Sequence, residues 1–159
     1  EVDEEDRVQN RDFTIYEEGI YVGYRHFDKV NSEVSYPFGF GLSYTNFEFS
    51  DLAVAVENDS INVQLTVKNT GNQKGKEVIQ VYVSKPNSQI DRPVQELKAF
   101  AKTHNLEPGE FAEMLLRIPM SELHYWDEDK SNWALEKGSY TIQSGTSSRD
   151  IRVLQEIEI

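Results

Sequence analysis

The chain contains no cysteine. Disulfides, thiolate zinc sites and cysteine nucleophiles are therefore excluded. Histidine is nearly as scarce: His26, His104 and His124 are far apart and lack the spacing of metal ligands. Neither a Gly-rich phosphate loop, a His-Glu-x-x-His motif nor a Gly-x-Ser-x-Gly elbow occurs. Positive charge is also short, with 16 Lys and Arg against 28 Asp and Glu and a net charge of -12. Nucleic acid and anionic membrane surfaces both attract basic faces, so neither is an expected partner. No apolar run approaches the ~18 residues of a membrane span. No signal-peptide pattern is recognised, and secreted, periplasmic and cytoplasmic locations all remain open.

What is present is a dense alternation of apolar and polar residues. Ile61-Asn62-Val63-Gln64-Leu65-Thr66-Val67 alternates strictly, as a half-buried strand does. Val78 to Val83 is apolar at nearly every position, which suits a central strand buried on both faces. Further strands are expected at 47–56, 94–102, 111–119, 140–144 and 151–159. Turn signals separate them at Glu57–Ser60, Asn69–Asn72, Leu106–Glu110, Glu136–Gly138 and Thr146–Asp150. Roughly seven strands and no long amphipathic helix indicate two packed antiparallel sheets, an immunoglobulin-like or fibronectin type III-like sandwich.

The first 46 residues read differently. The acidic start Glu1 to Asp6, without Met, is the expected mark of a piece of a longer protein, and residues 1 to about 12 are polar and loosely held. Ile15 to Phe27 is apolar and aromatic with Gly19 and Gly23 inside it, and is expected to form a strand or two that need a partner sheet. Tyr36-Pro37-Phe38-Gly39-Phe40-Gly41-Leu42-Ser43-Tyr44-Thr45 follows, an aromatic connector whose composition suits a linker packed onto a surface.

Candidate site residues are few. Glu17 and Glu18, or an acid among Asp127, Glu128 and Asp129, could be nominated as a carboxyl pair for glycoside chemistry, but acids are abundant and a solvated surface explains them as well. Trp126 and Trp133 are read as anchors of the core or of a domain interface, with a sugar-stacking surface as the alternative.

Taken together, Glu18-Gly19-Ile20-Tyr21-Val22-Gly23-Tyr24-Arg25-His26-Phe27-Asp28 and the 36–45 run resemble the C-terminal part of family 3 glycoside hydrolases, the β-glucosidase and β-xylosidase group. Arg92 to Phe100, Leu106 to Glu110 and Ser147 to Ile151 look like the fibronectin type III-like domain that ends many of those enzymes. The resemblance implies a retaining parent enzyme with a barrel, then an α/β sandwich domain, then a β-sandwich. Residues 1–35 would end the α/β domain, 36–46 would be the linker and 47–159 the fibronectin type III-like domain. In that family the nucleophilic Asp lies in the barrel and the acid/base Glu earlier in the α/β domain. Neither motif is present here, so no catalytic residue and no cofactor are carried over. Phe40 departs from the pattern, because many relatives have His there.

The resemblance leaves three roles open: a structural module bracing the catalytic domains, shaping the cleft rim or supporting a homodimer; a carbohydrate-binding module using Trp126 or Trp133; and a protein-interaction module using residues 36–44. The implied partners are the remainder of the parent glycosidase and, through it, β-linked glycosides. Arg25, charged inside an apolar segment, needs a partner. It is the single candidate for substrate binding, with an ion pair to the absent α/β domain as the alternative.

Overall fold

The computed structural model describes residues 16–159. Among these residues nine strands form two facing sheets and a small hairpin. Strand β1 (Phe47–Glu57) pairs with β2 (Ser60–Asn69), and β2 with β5 (Phe111–Pro119). The second sheet runs β4 (Glu96–Lys102), β3 (Val78–Ser84), β8 (Ser139–Ser147), β9 (Asp150–Glu158). All pairings are antiparallel. This three-on-four arrangement is a fibronectin type III-like sandwich, as the spacing of strands and turns indicated.

The alternation in β2 does what it implied. Ile61, Val63, Leu65 and Val67 are all buried, while Asn62 and Thr66 between them are part-exposed and Gln64 is exposed. Opposite them stand Ile79, Val81 and Val83 of β3 and Tyr140 and Ile142 of β8. Full burial of each such side chain is worth about 1.5–3 kcal/mol, so this interior is the main favourable term of the fold. The β1–β2 turn places Asn58 at φ 48° and Asp59 at φ 60°, the left-handed pair that a two-residue hairpin of matching twist demands. In β8, Gly145 sits where the pairing with β9 shifts register, and a side chain there would run into the Asp150 carbonyl.

β3 is buried on its outer face as well. Tyr82 has no exposed surface and Gln80 only 5%. What covers them is the N-terminal segment. The strand expected within residues 15–27 is not formed: Ile15 lies outside the described residues, Glu17–Ile20 is a turn, and Tyr24–Lys29 is a short helix, α1. The reading of residues 1 to 12 as loosely held also falls outside the described residues. The physical reason for the difference is pairing. This segment joins no strand ladder and satisfies its backbone locally, as in Tyr21 N–H to Glu18 O (3.0 Å) and Val30 N–H to His26 O (3.0 Å).

The region 120–134, read as irregular, contains a short 3-10 turn at Met120–Leu123 and the hairpin β6 (Tyr125–Asp127) and β7 (Asn132–Ala134). It stands apart from both sandwich sheets.

Where the connector enters β1, the fully buried amide of Asn69 ties the corner together. Its Nδ2 donates to Gln73 O (2.7 Å) and Leu106 O (2.8 Å), and its Oδ1 accepts from Thr45 Oγ1 (2.7 Å) and Gly71 N–H (3.1 Å). Asn69→Leu would take the partner from the Gln73 carbonyl, the Thr45 hydroxyl and the Gly71 N–H, while Leu106 O would keep only the Gly75 N–H. It is expected to cost roughly 2–4 kcal/mol in urea unfolding. An unchanged midpoint would show that water replaces the amide.

Candidate functional site

The most structured polar assembly outside the core is the seam where α1 and the connector meet β3, β4 and the β8–β9 turn. Its centre is Arg149. The guanidinium donates from Nε to Asp28 Oδ1 (3.0 Å) and from Nη2 to Phe27 O (3.2 Å) and Ser32 O (2.8 Å). A cation placed on carbonyls at the end of a helix is well matched to them. Gln95, 9% exposed, donates to both Asp28 Oδ2 (3.1 Å) and Ser148 O (2.6 Å). Asp28 is thereby used up in holding the helix down.

Aromatic contacts complete the seam. Tyr24 stacks on Phe38 at 4.6 Å, meets Tyr82 edge-on at 6.2 Å, and accepts the Leu97 N–H at 2.9 Å. Burial, with the Tyr24 and Asp28 groups nearby, pushes the Tyr82 hydroxyl far above the usual tyrosine range, so it stays protonated and donates to Gln80 Oε1 (2.6 Å). Gln80 in turn donates to Gly39 O (3.0 Å) and Thr146 O (2.7 Å). Gly39, at φ 80°, lies so close to the Gln80 amide that a side chain there would collide with it. An open groove of about 570 Å³ runs along the seam between Gly23–Phe27, Val34–Phe38 and Arg149.

The connector is thus fixed by its backbone, by Phe38 on Tyr24 and by the buried Thr45 hydroxyl, while Tyr36, Leu42 and Tyr44 point away. Tyr36 is 72% exposed, Leu42 92% and Tyr44 98%; Phe38 and Phe40 are about half exposed.

Arg25 is on α1, not in a strand. It pairs with Glu96 Oε1 of β4 at 3.1 Å, and Lys98 approaches the other oxygen of Glu96 at 3.4 Å. Its ion-pair partner lies in this chain. Lys29 sits over the Tyr21 ring at 3.4 Å and 3.3 Å from Asp91, whose carboxylate also accepts from the Tyr21 hydroxyl. Glu17 and Glu18 lie exposed on the turn before α1. Asp127 is bound by Lys130 through both Nζ (2.6 Å) and N–H (3.1 Å), which lowers its carboxyl below the usual range, the opposite of what a general acid requires. Glu17, Glu18 and Asp127 are not brought together by any contact. His104 pairs with Glu110 at 3.3 Å. Among the described residues no group of three or more His, Cys, Asp or Glu is placed to hold a metal ion. No helix there is long and apolar enough to cross a membrane.

Sequence reasoning singled out Arg25 and missed Arg149, Asp28 and Gln95. All three lie inside motifs that carried the family resemblance, but 121 residues separate Arg149 from Asp28. Nothing in local pattern announces such a pair.

Comparison with known proteins places these features in context. Residues 77–148 match the model of the fibronectin type III-like domain. The chain is 43% identical over 147 residues to a β-glucosidase of Kluyveromyces marxianus, covering 91% of this chain and 17% of that protein. It is 39% identical over 160 residues to thermostable β-glucosidase B of Acetivibrio thermocellus, covering 98% of this chain and 20% of that one. Among solved structures, β-glucosidase 3B from Thermotoga neapolitana in complex with α-D-glucose superposes with a TM-score of 0.86 at 46% identity, covering 91% of this chain and 20% of that one. The Kluyveromyces marxianus enzyme in complex with glucose gives 0.86 at 43%, covering 91% and 18%. The chain therefore spans about a fifth of the length of the relatives it matches.

Two outcomes follow from the seam. Arg149→Ala is expected to speed amide exchange across residues 23–38 by roughly tenfold or more while leaving β2 and β5 protected, because a charge-assisted contact is worth about 1.5–3 kcal/mol. Equal protection of 23–38 in both proteins would remove Arg149 from its role.

The second concerns acid. Burial works against the charge of Glu136, but Ser88 Oγ, the Gln89 N–H, Arg92 and Lys85 outweigh it and hold the carboxyl below the usual range. Asp150 is lowered chiefly by its paired bonds from Arg152 (both 2.7 Å), and also by Thr146, against opposing burial. Groups with depressed folded values stabilise above their unfolded values, about 4, and lose that contribution as pH falls further. Glu77, pushed up by burial, acts in the opposite sense. The thermal midpoint is expected to fall on acidification below about pH 4.5, with a shallower fall in Glu136→Gln. A midpoint that rises on acidification would contradict this.

Proposed function

We propose that this chain, the C-terminal region of a family 3 glycoside hydrolase with its fibronectin type III-like domain, serves its parent enzyme as a non-catalytic brace. In this reading residues 1–35 end an α/β sandwich domain, 36–46 are the linker and 47–159 the fibronectin type III-like domain. The parent hydrolyses terminal β-linked glycosyl residues with retention, using carboxyl groups that lie outside this chain.

One observation carries the reading. The connector is clamped to the sandwich by inward hydrogen bonds at Gly39, Thr45 and Phe38, yet it holds Tyr36, Phe40, Leu42 and Tyr44 in solvent. A contiguous apolar strip on a rigid backbone marks an interface. The covering surface is the larger remainder of the parent, and closure over it would set the sandwich against the catalytic domains. Arg25 belongs to the same edge. Glu96 and Lys98 orient it, and its side chain remains 32% exposed, which leaves part of the guanidinium for the rim of the substrate cleft. A homodimer could use neighbouring surface. Nucleic acid and membrane surfaces have no part in this reading.

The test is complementation. The isolated chain is expected to show no hydrolysis of aryl β-glucosides. Added to the parent lacking this region, it should bind and raise activity, and Leu42→Asp with Tyr44→Asp should weaken that binding by about tenfold or more. Turnover by the pure chain that vanishes when one acid is mutated would sink the reading, as would failure to bind the remainder. In the full-length enzyme, Arg25→Ala is expected to raise KM by roughly two- to tenfold with kcat little changed, the mark of lost ground-state binding. Unchanged KM would leave Arg25 only its ion pair with Glu96.

A further inference from the structure

The chain has two tryptophans, and they face each other across one hairpin. Trp126 of β6 is directly opposite Trp133 of β7, with ring centroids 5.7 Å apart and planes at 76°. Neither is in the core: Trp126 is 50% exposed and Trp133 61%. That removes the core from the expected anchoring role and leaves the domain interface and the sugar-stacking surface. The hairpin alternates as a two-residue repeat requires. Tyr125, Asp127 and Ala134 are partly covered on one face, where Arg92 lies over the Tyr125 ring at 5.9 Å, and both indoles stand on the other face. The tip is stiffened by the two bonds from Lys130 to Asp127.

A single exposed tryptophan needs no explanation, but two held at right angles on a braced hairpin form a preorganised corner. One indole offers a flat apolar floor and the other a wall. The surroundings are polar: Glu128, Asp129, Lys130 and Ser131 make the turn, and Asn132 follows. The corner is separate from the connector strip in the fold, because the hairpin leads into the Ser139 end of β8 and the connector rests on the Thr146–Ser148 end.

We propose that this corner binds neutral glycan chains by stacking a pyranose ring on an indole. The chemistry fits that ligand class. A pyranose with equatorial hydroxyls has an apolar C–H face that matches an indole face, and its hydroxyls radiate sideways towards polar groups such as those of the tip. A net charge of -12 disfavours polyanions and imposes no penalty on an uncharged polyol. The occupant is therefore a β-linked or α-linked oligosaccharide without acidic groups.

The two indoles supply their own probe, since all tryptophan emission from the chain comes from this corner. The chain is titrated separately with cellohexaose, laminarihexaose and maltohexaose, and run in native gels containing mixed-linkage β-glucan. At least one sugar is expected to shift the emission saturably with a Kd of about 1 mM or tighter. Trp133→Ala should weaken gel retardation about tenfold, and Trp133→Phe, which keeps an aromatic face, should weaken it less. An unchanged unfolding midpoint in both variants would exclude misfolding as the cause. No emission change up to about 10 mM of every sugar overturns the proposal. So does retardation that survives in the double Trp126→Ala, Trp133→Ala variant. Emission that responds to the parent's remainder and to no sugar would make the corner a domain contact instead. The readout is fluorescence, not hydrolysis, so this proposal and the bracing role can each fail alone.

Discussion

β3 needs cover on both of its faces. Its inner face, Ile79, Val81 and Val83, is closed by the opposing sheet. Its outer face carries Gln80 and Tyr82, neither of which could be buried without partners. The connector brings the Gly39 carbonyl to Gln80, and α1 brings the Tyr24 ring to Tyr82. Once the connector and helix lie there, Asp28 is in reach of Arg149 and Gln95, and the seam locks. The placement of the N-terminal segment is thus a consequence of one central strand that is hydrogen-bonding outside and apolar inside.

The seam divides its labour by polarity. Polar groups and the connector backbone face the sandwich, where Gln80, Gln95 and Arg149 find acceptors in place. Tyr36, Leu42 and Tyr44 face away, while Phe38 stacks on Tyr24. Directional bonds fix where the connector goes, and the non-directional hydrophobic strip is left free to drive association. This arrangement suits a module whose task is to hold an orientation. The charge pattern agrees with it. Arg25, Lys29, Arg92, Arg149 and Arg152 are each paired with a carboxylate inside this chain, so the excess of negative charge remains on the surface.

Much of the sandwich was legible because a strand with one face on a core writes a two-residue alternation into its own sequence. β2 is the clearest case. The segment from Ile20 to Phe27 was misread for a related reason. Its β-branched and aromatic residues suit a strand, but strand propensity expresses packing against neighbours, and here Tyr24 packs as a side chain on Phe38 and Tyr82 while the backbone joins no ladder. Helical spacing was present as well: Tyr24, Phe27 and Asp28 fall on one side of α1, which is the side used. For the tryptophans the sequence left core, domain interface and sugar-stacking surface open, because composition cannot tell which face of a three-residue strand looks inward.

By itself, the sequence determined the two-sheet architecture, the turn positions and the exclusion of cysteine and metal-motif chemistry, because these depend on residue types and short periods. The tertiary structure decided which residues meet across long separations: Arg149 with Asp28, Gln80 with Gly39, Trp126 beside Trp133. Such meetings depend on strand order and on which face each strand presents. Both are properties of the closed sandwich as a whole, and no window of local sequence contains them.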